Sequence, residues 1–260
     1  MSFSFLLGLE DKIIIDSFTD NETGASVSFK VVDYKYPFSP KDNIRRIEFQ
    51  NGESFLYSSV YLSEKRDIQP LYPCAQRMID CFHKIYGGRN ALVLGCAGCT
   101  IPRFLLHRYD DFSVTGVEYS NTVIDIANKY FISSKMKDRL TIINDDAFMY
   151  VKTSAQKYDH IFIDIFVEEK IHSSVFSDSF ITDLYNCASD DSIIVFNLFG
   201  VGGAKAQRFM ERISADFDAR YVFEDYRKFF LALVKTKEPQ KLALYEKRIR
   251  KYADIYSKQR

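Results

Sequence analysis

"VLGCAGCT", Val93 to Thr100, decides how this chain is read. Cys96 and Cys99 are spaced as C-x-x-C, the spacing of a redox pair or of half a zinc site. The same letters close an apolar run, "NALVLG", and open an amphipathic one, "IPRFLLHRY", which is the frame of a strand, a loop and a helix. In open α/β sheets such a loop lies at the carboxyl edge, where ligands bind, and glycine there permits close backbone approach and positive φ. A zinc site needs two further ligands, yet His83, His107, His160 and His172 are scattered and no second C-x-x-C occurs. No metal centre is expected, and the cysteines read as small side chains at glycine positions: the G-x-G-x-G places hold Gly95, Ala97 and Cys99, with Gly98 between. Cys99 is expected to limit how closely the backbone approaches a ligand, so that Cys99→Gly tightens binding.

Outward from the loop, strand-like and helix-like runs alternate. "SVTGVEY", "RLTIIND", "YDHIFIDIF" and "SIIVFNLF" are apolar throughout, and "SNTVIDIANKYF", "VFSDSFITDLYNCA" and "AKAQRFMERISADF" between or after them have helical spacing. Fully apolar strands separated by amphipathic helices predict a parallel sheet covered on both faces. "ARYVFEDY" and "KFFLALVKT" then follow each other with almost no connection, so the last strand must run antiparallel to its neighbour. Before about residue 70 the chain is β-rich and turn-rich, with Asn51-Gly52 between two apolar runs as a hairpin signal. The tail after Pro239 reads as a basic helix with an apolar stripe at Leu242, Tyr245, Ile249, Tyr252 and Ile255. The expected division is a small N-terminal antiparallel β module over 1–70, a ligand-binding domain over 71–237 and a C-terminal helix over 238–260.

The 35 basic and 35 acidic side chains cancel, so no global field recommends nucleic acid or an anionic membrane, and a small molecule is the expected partner. The opening "MSFSFLLGL" lacks a basic flank and is too short to span a bilayer. Five cysteines, an odd number, fit free thiols in a reducing, cytoplasmic setting.

Each strand end carries a polar residue. "GVEY" places Glu118 where an acidic side chain accepts from both ribose hydroxyls of an adenosine-type ligand, with Tyr119 beside it; the alternative is an acidic residue serving the following helix. In "NDDAF", Asp145 or Asp146 can accept from an adenine amino group while the backbone near Ala147 meets the ring, or either can cap a helix. "FIDIF" ends in Asp164, placed to orient a nucleophile or take its proton.

Taken in order and spacing, "ALVLGCAGCTIPRFLLHRY", "VTGVEYSNTVIDIANKYF", "RLTIINDDAFMYV" and "YDHIFIDIF" resemble the S-adenosylmethionine-dependent methyltransferase fold in its spermidine synthase-like version. The resemblance implies a Rossmann-like α/β fold, a seven-stranded sheet with the last strand antiparallel. It implies that Gly95, Cys96, Ala97, Gly98 and Cys99 hold the amino-acid end of S-adenosylmethionine or of its decarboxylated form, Glu118 the ribose, and Asp146 and Ala147 the adenine. It also implies a homodimer. Tyr72 falls where the polyamine enzymes place a substrate-facing tyrosine, but their following glutamate is Cys74 here. The family's loop aspartate is replaced by Gly98, and its second aspartate after the fourth strand by Val167, with Glu168 one place later. Its Asp-Gly-x-x-Gln signature reads Asn51-Gly52-Glu53-Ser54-Phe55.

A polyamine ammonium taken out of water without acidic partners costs several kcal/mol, so these losses disfavour a polyamine acceptor. The leading expectation is a transferase moving a methyl group to a small molecule such as an amine, with Asp164, Tyr72 and Glu168 as catalytic candidates. Aminopropyl transfer and a non-catalytic adenosyl-ligand-binding protein are the alternatives.

Overall fold

A computed structural model describes residues 11–21, 26–51, 53–63, 73–167, 170–213, 217–225 and 228–257. Four strands, β1 (Asp11–Asp20), β2 (Val27–Lys35), β3 (Ile44–Asn51) and β4 (Glu53–Tyr61), form an antiparallel sheet in chain order. β3 and β4 pair on either side of the Asn51-Gly52 signal, although Gly52 itself lies outside the described residues. After helix α1 (Pro73–Tyr86), strands and helices alternate: β5 (Asn90–Leu94), α2 (Thr100–Arg108), β6 (Ser113–Glu118), α3 (Asn121–Tyr130), β7 (Leu140–Asn144), α4 (Ala147–Thr153) and β8 (Tyr158–Ile163). A two-stranded ribbon, β9 (Phe166–Val167) and β10 (Lys170–Ile171), precedes α5 (Asp178–Cys187), β11 (Ala188–Asn197), α6 (Gly203–Ile213), β12 (Ala219–Asp225), β13 (Lys228–Lys235) and α7 (Gln240–Ser257).

The central seven-stranded sheet has the order β12-β13-β11-β8-β5-β6-β7. β11, β8, β5, β6 and β7 are parallel neighbours, and β13 lies antiparallel between β11 and β12. The chain therefore leaves β5 in one direction toward β6 and β7 and returns on its other side at β8. That reversal is a topological switch point, and it opens a crevice at the carboxyl ends of β5 and β8.

Period-two alternation along the strands fills both faces. Val93, Phe162, Val195 and Ala232 meet Phe82 of α1, Leu105 of α2 and Tyr245 of α7. Leu92, Leu94, Ile161, Ile163 and Phe196 meet Val151 of α4, Leu184 of α5 and Phe209 of α6. Each such side chain, taken fully from water, contributes about 1.5–3 kcal/mol.

The N-terminal sheet docks on α3 by the same means: Phe29, Val31, Ile47, Phe49 and Val60 pack on Val123, Ile126 and Phe131. Polar contacts fix its register. Asp16 accepts from Lys129 Nζ at 3.0 Å and from the Tyr130 hydroxyl at 2.5 Å, and Asp20 accepts from the Ser120 hydroxyl. The docking holds this sheet over the loop after β5.

Two features differ from the sequence expectation. The single helix expected over "VFSDSFITDLYNCA" is a 3-10 turn, Ser173–Phe176, followed by α5, because the Ser177 hydroxyl accepts from Phe180 N at 3.3 Å and starts a new helix there. The β9–β10 ribbon was not expected, since two-residue strands show no periodicity. Among the described residues no helix is long and apolar enough to cross a membrane.

Candidate functional site

The loop after β5 is shaped by close contacts on three sides. Gly95 N–H donates to Val117 O at 2.9 Å, with φ at 79°. A Cβ on Gly95 would lie 2.4 Å from Asp164 O, so only glycine lets this loop abut the end of β8. A Cβ on Gly98 would lie 2.7 Å from Ser58 Cβ and 2.9 Å from Ile47 Cδ1; this position faces the N-terminal sheet. Ser58 in turn shares a 2.7 Å hydrogen bond with Thr100 Oγ1 at the start of α2. A neutral hydroxyl pair thus occupies the ground next to the position where the resembled family carries its loop aspartate.

Ala97 and Cys99 adopt left-handed conformations, φ 42° and 60°. Such conformations cost a residue with a Cβ about 1–2 kcal/mol and persist only where surroundings impose them. Ala97 is held by its N–H, which donates to Glu118 Oε2 at 2.9 Å. Cys99 is the N-cap of α2, and its N–H donates to Cys96 O at 2.7 Å. Its side chain is fully buried in the core, contrary to the expectation that it limits the approach of a ligand. Cys96 is also buried, against Gly116, whose missing Cβ leaves room for its sulfur. A hydrogen bond from Cys99 and burial push the Cys96 thiol up, so Cys96 is a protonated packing thiol and a poor nucleophile. Neither is in a disulfide, nor are Cys81 and Cys187, and no cluster with metal-ligand composition occurs among the described residues.

Glu118 ends β6 with only 5% of its surface exposed. Besides Ala97 N–H it accepts from Ser120 N at 3.2 Å, and burial raises its carboxyl above the ordinary value. Tyr119 beside it is exposed. At the next strand end Asn144 Nδ2 donates to Tyr119 O at 2.6 Å and to Glu118 O at 3.1 Å, which ties the two strand ends together. Asp146 is the N-cap of α4: its Oδ1 accepts from Phe148 N at 2.8 Å and Met149 N at 3.0 Å. Asp145 Oδ1 accepts from Asp146 N at 2.8 Å, and Ala147 is the first residue of the helix.

Asp164 follows β8 directly, at the switch point, with its N–H on Leu94 O at 2.9 Å. Its Oδ1 accepts from Asn197 Nδ2 at 2.8 Å, and its Oδ2 has no hydrogen bond among the described residues. Burial lifts this carboxyl to about 6, with the Asn197 bond opposing. A carboxyl poised there exists in both forms near neutral pH, which suits a group that accepts and returns a proton. The structure thus gathers Gly95, Ala97, Glu118 and Asp164 around one loop. Tyr72 and Glu168 lie outside the described residues.

Three contributors escaped sequence reading. Asn197 follows an apolar strand by the same rule that exposed Asp164, but "VFNLF" reads as unbroken strand. Ser58 and Asp20 reach the loop and Ser120 only through tertiary docking.

The donor set fits an adenosyl ligand. Each Glu118 oxygen carries one backbone bond and retains a lone pair for a ribose hydroxyl, Asp146 Oδ2 carries no bond among the described residues, and Tyr119, next to Glu118, is exposed.

Comparison with known proteins agrees with this architecture. Residues 77–199 match the spermine/spermidine synthase domain. The polyamine aminopropyltransferases of Vibrio vulnificus and Thermoplasma volcanium are 28% identical over 111 residues and 31% identical over 110 residues. Those alignments cover 42% and 41% of this chain, and the chain spans only 37% and 40% of the length of the relatives. A probable spermidine synthase from Corynebacterium glutamicum superimposes with a TM-score of 0.67 at 17% identity, covering 93% of this chain and 94% of that one. Human methyltransferase-like protein 13, solved with SAH, gives 0.55 at 16% identity over 70% of this chain and 90% of its own. The chain has the fold that these spermidine synthase and methyltransferase structures share.

Proposed function

We propose that this chain is a transferase that binds an adenosyl sulfonium ligand along the carboxyl edge from Gly95 to Asp146 and moves its alkyl group to a small nucleophile. The observation that carries the reading is Asp164: a carboxyl at the switch point, lifted to about 6, with one oxygen held and the other unclaimed among the described residues. The sulfonium supplies the leaving group. The protein's task is to align the acceptor in line with the reacting carbon and remove one proton. Glu118 holds the ribose, Asp146 with Asp145 and Ala147 the adenine, and the Gly95–Cys99 backbone the amino-acid end. Tyr72 and Glu168 are the further catalytic candidates behind Asp164.

Methyl transfer from S-adenosylmethionine is the first reading, because Gly98 and the Ser58–Thr100 hydroxyl pair offer no anion to an aminopropyl ammonium. Aminopropyl transfer from the decarboxylated ligand is the second, favoured by the names of the relatives. The acceptor is a small molecule such as an amine, and the working form is a cytoplasmic homodimer. The test supplies a panel of amines with S-adenosylmethionine labelled in the methyl group, and separately with decarboxylated ligand labelled in the aminopropyl chain. Label in product from the first supports methyl transfer and from the second aminopropyl transfer. Asp164→Asn lowers either rate about 10²–10⁴-fold. Transfer that survives Asp164→Asn undiminished removes Asp164 from the chemistry.

A further inference from the structure

Asn197 stands at the end of β11, one strand beyond Asp164, and its amide is fixed from both sides. Phe199 N–H donates to Asn197 Oδ1 at 3.1 Å, while Asn197 Nδ2 donates to Asp164 Oδ1 at 2.8 Å. A backbone N–H can only donate and a carboxylate can only accept, so this pair of neighbours leaves the amide one orientation. Among the described residues the other close contacts of Asp164 are with backbone, and no charged side chain contributes to its shift: Leu94 O takes its N–H, and Gly95 stands against its carbonyl. β11 is paired on both sides, to β8 and β13, so the asparagine is carried on a rigid element.

We infer that Asn197 is the positioning residue of the site: held by Phe199 N–H, it occupies Oδ1 of Asp164 and so turns Oδ2, alone, toward the acceptor. The inference rests on the reading of Asp164 as proton acceptor. It adds that one lone oxygen is presented, which selects an acceptor with a single N–H or O–H aligned on it. It also adds that the asparagine favours the charged form against burial, which keeps the carboxyl usable as a base near neutral pH. Without that donor the group stays protonated further up the pH scale.

The test follows the Asp164 carboxyl by carbon NMR in full-length protein labelled at aspartate side chains, with Asp164→Asn to assign the signal. In the wild type it titrates near 6. In Asn197→Ala the midpoint rises by about one pH unit, as expected for loss of one hydrogen bond to a charged group. Asn197→Asp, which keeps the shape if the alanine variant does not fold, gives two coupled steps with the upper one above the wild-type value. An unchanged midpoint in whichever variant folds overturns the inference. Failure of the parent reading looks different: the midpoint depends on Asn197, yet alkyl transfer is indifferent to Asp164→Asn.

Discussion

The two ends of the carboxyl edge are built differently. At the loop end, Glu118 is nearly sealed, both its oxygens take backbone N–H groups, and two residues with a Cβ are held at positive φ. At the other end Asp164 is held through one oxygen, and its neighbours along the rim, Val167 and Phe199, are 56% and 43% exposed. The first end is a rigid shape that costs conformational strain, as a ligand cradle requires. The second has a carboxyl whose proton is poised, beside exposed apolar side chains. Rigidity at one end and unspent bonding capacity at the other is the division of labour that the proposed transferase, which holds one substrate and reacts with the next, requires.

Breaking the rigid end should have the largest effect. Gly95→Ala places a methyl group 2.4 Å from Asp164 O and forces φ 79° on an alanine. Its expected cost is above about 3 kcal/mol, read as a lowered urea midpoint, because neither backbone can yield. Glu118→Ala leaves the Ala97 and Ser120 N–H groups without their buried acceptor, an expected loss of about 3 kcal/mol, with Glu118→Gln losing less because one amide oxygen still accepts.

Changing the reactive end should move stability the other way. Folded Asp164 holds its proton up to about 6 against an ordinary 3.8, so its contribution to stability is full below pH 3.8 and is lost as pH rises through 6. Asp164→Asn is therefore expected to be more stable than the wild type at pH 7.5, by about 2 kcal/mol given that the site is partly open to water, while losing transfer. His160, buried within β8 at the centre of the sheet, provides the opposite slope. Burial lowers it from 6.5 to about 4, against the opposing pull of Asp159 and of the Gly87 and Gly88 backbone, so its contribution is full above pH 6.5 and is lost as pH falls through 4. Unfolding midpoints of His160→Phe across pH 4 to 7 should lose the acid-side slope.

The smallest effects sharpen the account of strain. Ala97→Gly should stabilise by about 1 kcal/mol, since φ 42° suits glycine. Cys99→Gly relieves the same kind of strain but removes a fully buried side chain, so its net effect should be near zero and its benefit to ligand binding slight.

Much of this arrangement was legible before folding. The alternation from Asn90 to Phe199 and the abrupt pair at its end determine a parallel sheet with one reversed strand, because crossover length and strand direction are linked. Glu118, Asp146 and Asp164 were legible because each polar residue follows an apolar run at a strand end. Where β13 would insert was not, since periodicity does not say which edge is open. Asn197 was hidden by the apolar residues on both sides of it. The inward turn of Cys99 and the contact of Gly98 with Ser58 depend on how the N-terminal sheet docks, which spacing along the chain does not encode.

The central claim is that the strained loop and Glu118 form an adenosyl-ligand cradle. Calorimetric titration of the full chain with S-adenosylmethionine, its decarboxylated form and S-adenosylhomocysteine tests it most directly. The account predicts saturable binding of at least one of them to the wild type, and its loss in Glu118→Gln, which keeps the fold but removes the charge. Absence of binding for all three, with a folded protein in the cell, would contradict it.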